Sequence, residues 1–198
     1  MKNLLKTSSR SIVLSIMLTS TLGGVFPLLM TPAMAAERAA TPEKNPPGDI
    51  PDSQVFVKFH SPLGFSVQSP EGWSRTERKS GVVFADKFNR IDVEIGTATD
   101  SPSVASVKTQ QAVDLVKTGR AVTIKTIKNV SLPTGPAVFI DFESNSEPNQ
   151  VTNKQLRLES NRYLIFRNGK LATLDLSAPK GADNIDQWKL IAHSFHWN

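Results

Sequence analysis

The chain of 198 residues has no cysteine, a single tyrosine and three histidines. The missing thiol excludes disulfide stapling, a thiolate nucleophile and acylation of a lipoprotein cysteine. Charge of one sign is also scarce. Residues 1–35 carry Lys2, Lys6 and Arg10 and no acid, so without them the 23 basic residues fall to 20 against 18 acidic ones and the formal charge from +5 to +2. Nucleic-acid binding is excluded on that balance, because a polyanion binder keeps a concentrated basic face. The run Lys154, Arg157, Arg162, Arg167 and Lys170 is interrupted by Glu159 and reads as a solvated strand-and-turn surface. Sequence patterns for catalysis are lacking as well. There is no Gly-x-Ser-x-Gly elbow and no glycine-rich phosphate loop, so the chain reads as non-enzymatic, with no cofactor implied.

What is present begins with an export leader. Lys2, Lys6 and Arg10 precede the uncharged stretch Ser11 to Met30, and Ala33-Met34-Ala35 is a small-x-small cleavage site before Ala36-Glu37. The stretch is long enough for a membrane helix. Its serines and threonines, Gly23-Gly24 and Pro27 favour a cleaved signal peptide over an anchor, which places the mature chain outside the cytoplasm, in the periplasm or the medium. Residues 36–53 hold four prolines and little that is large and apolar, and read as a disordered tether. Residues 54–198 are then one domain, long enough to bury a core without cross-links, and a monomer is expected.

Val55, Val57 and Phe59 alternate with Phe56, Lys58 and His60 in a strand-like run, with His60 expected in the turn that follows. Gly64 to Gln68 is a strand ended by Ser69-Pro70-Glu71-Gly72, and Val82 to Ala85 is another. Ile91 to Ile95 alternates isoleucine and valine with carboxylates. Ser101-Pro102 starts one amphipathic helix that Gly119 ends, with Val104, Ala105, Val107, Ala112, Leu115 and Val116 on its apolar side. Ala121 to Val130 and Ala137 to Glu143 form a hairpin. Gln155 to Phe166 and Leu171 to Ala178 form a second, joined at Asn168-Gly169 as a type I′ turn. Asp183 caps a last helix with Ile185, Trp188, Ile191 and Ala192 along one side. Four strands, a helix, four strands and a helix make an α+β fold, an antiparallel sheet covered by helices.

Gly64 to Trp73, with its Pro-x-Gly-Trp turn, resembles the opening of PsbP-like proteins. Arg167-Asn168-Gly169-Lys170-Leu171 through Ile191-Ala192-His193-Ser194-Phe195 resembles their final hairpin, helix and Ser-Phe tail. Over Val55 to Trp197 the chain is similar to the PsbP/Mog1-like superfamily. The resemblance implies an α/β/α sandwich and an adaptor-like role with a protein partner, as in an extrinsic subunit of photosystem II that helps retain calcium or in a nuclear import cofactor.

Four side-chain groups merit a chemical test. His193-x-x-His196 has zinc-ligand spacing only if the helix continues to His196. Asp92 and Glu94 share one strand face, as do Asp141 and Glu143, and together they could hold a hard cation if those strands are neighbours. Trp73, Trp188 and Trp197 are expected as core seals, with a small apolar ligand between helix and sheet as the alternative. The function expected on these grounds is an exported binding or assembly module, and the alternative is a carrier of a small apolar ligand or a cation.

Overall fold

A computed structural model describes residues 37–198; the leader and its cleavage site lie outside them. The strands and helices, in chain order, are β1 (Phe56–Ser61), β2 (Phe65–Pro70), β3 (Ser74–Arg78), β4 (Gly81–Ala85), β5 (Arg90–Thr97), α1 (Val104–Thr109), α2 (Gln111–Thr118), β6 (Thr123–Leu132), β7 (Gly135–Asn145), β8 (Arg157–Arg167), β9 (Lys170–Pro179), α3 (Ile185–Ser194) and β10 (His196–Trp197). A seven-stranded antiparallel sheet runs β3-β4-β5-β9-β8-β7-β6, and a small sheet runs β1-β2-β10. The α+β antiparallel architecture expected from the sequence is therefore present.

Register decides which residues meet, because directly opposed residues share a face. The row Val83, Asp92, Asp175, Arg162, Ile140 and Ile127 defines one face of the large sheet. There Val138, Ile140, Phe142 and Leu164 pack with Val107 of α1 and Leu115 of α2. The opposite face carries Ile91, Val93, Leu174, Leu176, Tyr163 and Ile165, packed with Trp188, Ile191 and Ala192 of α3 and with Phe65 and Val67 of β2. Helices on both faces make the three-layer sandwich, and the third layer, that of α3, includes the small sheet.

Several elements depart from the pattern reading, each for a local reason. Strand β3 reads Ser-Arg-Thr-Glu-Arg, is exposed along its whole length, and pairs only with β4. An edge strand with no buried face leaves no apolar period to detect, and its charge blocks further pairing. The single helix expected after Ser101 is two. Ser103, rather than Ser101, caps α1 through a reciprocal bond with Ser106, and Gln110 breaks the run at φ −118°, ψ −83°. Thr109 Oγ1 donates to Ser106 O at 3.1 Å, a local bond that competes with continued helix. Gly119 does end α2, but at φ −87° rather than in a left-handed turn. Its role is close approach: a Cβ there would lie 2.5 Å from Val122 Cγ2 and 2.8 Å from Leu115 O.

Asn168 and Gly169, at φ 51° and 78°, make the β8–β9 turn as expected for type I′. His60 lies within β1, opposite Ser66, and not in a turn. At the start of α3 the capping position belongs to Asn184 rather than Asp183, and its side chain makes no capping bond. That amide is used elsewhere. It accepts from Ile50 N at 2.7 Å and donates to Gly48 O at 2.9 Å and Asn89 Oδ1 at 3.0 Å.

Two of those bonds, to Ile50 and Gly48, belong to the proline-rich segment, which composition suggests is a free tether. Instead its residues lie along the domain. Ala40 N donates to Asn145 Oδ1 at 2.8 Å, Glu37 pairs with Arg120 at 3.1 Å, and Ile50 is 4 % exposed in the core. Pro46 of the segment lies against Gly181, and Pro179 at the end of β9 crowds Gly48 together with Phe88; the φ of Gly48 is +110°.

Candidate functional site

Layer three leaves part of the sheet uncovered. Helix α3 and the turn before it stand off from β6, β7 and β8, enclosing a cleft of about 860 Å³. The strand side of its lining follows from register: Lys128 and Val130 of β6, Phe139 and Asp141 of β7, and Glu159, Asn161 and Tyr163 of β8 all project to the α3 face. The helix side is Ala182 to Ile185, Trp188, Lys189 and His193. Phe139 and Tyr163 meet with centroids 5.1 Å apart, and Lys128 Nζ lies 5.3 Å from the centre of the Phe139 ring.

The acidic residues singled out in the sequence separate here. Asp92 and Glu94 lie on the α1/α2 face, while Asp141 and Glu143 lie on the α3 face. Strands β9 and β8 stand between β5 and β7, an offset of about 14 Å across the sheet. The four carboxylates therefore form no common cation site. Arg78 binds both Asp92 and Glu94, and Arg90 reaches Asp92 at 2.6 Å. Glu143 is held by Lys180 at 2.7 Å, Lys125 at 3.1 Å and Arg157 at 3.3 Å.

The histidine pair also separates. Helix α3 ends at Ser194, Phe195 is extended at φ −68°, ψ 127°, and His196 enters β10 opposite Ser66. His193 stays at the cleft, while His196 Nδ1 is 2.9 Å from Ser194 O. No group of three or more histidine, aspartate or glutamate side chains is gathered for a metal among the described residues. The tryptophans divide as well. Trp197 is buried at the tail, Trp73 packs on the main core, and Trp188 is buried but also lines the cleft. The basic run divides: Lys154, Arg167 and Lys170 are exposed, whereas Arg157 is 4 % exposed and Arg162 binds Asp175 at 2.6 Å.

Glu159, Asn161 and Tyr163 were the part of the site that pattern did not reveal. Their alternation along β8 was the available signal, but only its register beside Asp141 gives it meaning. Burial holds the Asp141 carboxyl above the ordinary aspartate range, and the neighbouring Glu143 adds to the rise. The Glu159 carboxyl is raised chiefly by burial, against a bond from Gly181 N at 3.3 Å, with Asp141 adding to it. A raised carboxyl binds its proton more tightly in the folded than in the unfolded chain, so it withdraws stability as pH rises through the carboxylate range. The Asp141→Asn, Glu159→Gln double variant is therefore expected to match the parent's unfolding midpoint at pH 3 and exceed it at pH 7. A lower midpoint at pH 7 would show that both carboxylates are held by favourable partners.

No family model and no curated protein matches this sequence. Solved structures do match it. The cyanobacterial PsbP of Synechocystis sp. PCC 6803 superposes with a TM-score of 0.53 at 18 % identity, covering 76 % of this chain and 98 % of its own. The Ran-binding protein Mog1p of Saccharomyces cerevisiae does so with a TM-score of 0.50 at 10 % identity, covering 73 % of this chain and 96 % of its own. At such identities the likeness is one of fold. Strand order, the two helical layers and these superpositions agree that this chain has the PsbP/Mog1-like α+β fold.

Proposed function

We propose that the chain is an exported, non-catalytic binding module that receives a protein partner in the cleft between α3 and strands β6 to β8. The observation that carries this reading is the cleft itself: about 860 Å³, with Trp188, Tyr163 and Phe139 beside Asp141, Glu159 and Asn161. An apolar wall with a few placed polar groups is the usual composition of a binding site. Acid–base and nucleophilic chemistry would need converging groups. Of the histidines only His193 reaches the cleft. The leader supports action outside the cytoplasm, and the match to a Ran-binding protein supports the use of this fold as a binding scaffold.

Affinity capture from the native envelope fraction tests the reading. The parent chain is expected to recover a partner, and an Ile185→Trp variant to recover at least tenfold less of it, because Ile185 is 64 % exposed at the cleft and can be enlarged without repacking the core. Recovery of the bare chain, or equal recovery by both, would contradict it.

A further inference from the structure

The carboxylates on the α3 face are of two kinds. Glu143 is saturated by Lys125, Arg157 and Lys180. Asp141, two residues away on the same side of β7, and Glu159, opposite Glu143 on β8, enter no ion pair among the described residues. The fold thus pairs three cations directly with one carboxylate, while its two neighbours feel Lys125, Lys128 and Lys180 only from a distance.

The cleft's own cations do not fill the gap. Lys128 lies over Phe139, and Lys189 is held at 3.1 Å by Asp186 on the outer side of α3. Among the described residues no arginine or lysine covers the rings of Tyr163 or Trp188. Two carboxylates without an ion pair and the edges of two largely buried aromatic side chains, Tyr163 and Trp188, therefore face one space, with Asp183 adding negative charge at its mouth.

Resting on the binding reading above, we infer that the cleft takes the guanidinium of an arginine carried by a partner protein, bonded by Asp141 and Glu159 and packed against Tyr163 and Trp188. Charge complementarity selects a cation, and the geometry selects the kind. Asp141 and Glu159 occupy diagonal positions on adjacent strands, about 7 Å apart, a separation that suits a planar group with donors on several edges better than a compact ammonium. The faces of a guanidinium are weakly hydrated and stack on aromatic rings. The volume argues for a protein-borne group: 860 Å³ is many times that of a guanidinium, so the remainder accommodates the residues flanking it. Burial, with repulsion from Glu143 on both and from Asp141 on Glu159, already penalises these carboxylates when charged, and an arriving cation relieves that penalty.

The probe is the blocked tripeptide acetyl-Gly-Arg-Gly-amide, titrated into the isotopically labelled chain and followed by NMR, beside the peptide with neutral, isosteric citrulline in place of arginine. The arginine peptide is expected to shift the amide signals of Tyr163 and Gly181 and the Trp188 indole, with at least tenfold tighter binding than citrulline. The Asp141→Asn, Glu159→Gln double variant is expected to abolish that preference while leaving signals elsewhere in place. Equal shifts by both peptides would overturn the arginine assignment and leave the binding cleft standing. Silence of the cleft signals toward either peptide would overturn both. Spermidine binding as tightly as the arginine peptide would make the ligand a free polyamine and overturn the protein source.

Discussion

Replacing Phe195 by alanine is expected to cost about 3–5 kcal/mol of folding stability, the range for deleting a fully buried aromatic side chain. Phe195 has no exposed surface, and it follows α3 directly. Its ring stacks on Phe65 of β2 at 5.6 Å and meets the edge of Trp197 at 5.4 Å. Phe65 in turn touches Phe59 of β1, and Phe59 touches Phe84 of the large sheet. One side chain thus joins the end of α3, the small sheet and, through two more rings, the large sheet. Urea unfolding of the variant measures the cost, and a loss below about 1 kcal/mol would mean that the tail is not part of the core. Because α3 forms one wall of the cleft, the same variant is expected to bind its partner more weakly than its residual stability alone would imply.

Asn184→Ala is the second large effect, about 2–4 kcal/mol. Asn184 is 1 % exposed, and its amide serves Ile50 N, Gly48 O and Asn89 Oδ1. Alanine leaves these groups buried without a partner, and each such loss costs about 1–3 kcal/mol before relaxation. The change is also expected to free residues 37–50, so hydrogen exchange at the Ile50 amide should accelerate toward the unprotected rate. An unchanged amide would show that the segment is held by its prolines and not by Asn184. Since Gly181 to Asn184 line the cleft, the segment fastened by this residue braces the cleft's helical wall from behind.

These two side chains mark where sequence reading succeeds and where it stops. The Asn168-Gly169 hairpin, the β5 alternation and the buried Trp188, Ile191 and Ala192 stripe of α3 are local, and each is written in a few consecutive residues. Ile185, expected on the same stripe, is exposed because the first turn of α3 overhangs the cleft rather than the core. The pairing of β10 with β2 joins residues more than a hundred positions apart, which no period reports. Segment 37–52 was misleading because composition counts prolines and charges, whereas its attachment depends on individual bonds to Asn145, Asn184 and Arg120. For the cleft, Asp141 was visible as a carboxylate on a strand face; Glu159 and Tyr163 became its neighbours only through the β7–β8 register.

The central claim is that binding takes place between α3 and the outer strands, and photo-cross-linking from two positions tests it most directly. A photoreactive side chain at Ile185 lies at the cleft mouth, whereas one at Glu77 lies on the exposed edge strand β3, at the far side of the sheet. In the envelope fraction the Ile185 position is expected to yield one discrete cross-linked product and the Glu77 position none. A product from Glu77 alone, or the same product from both positions, would contradict the account.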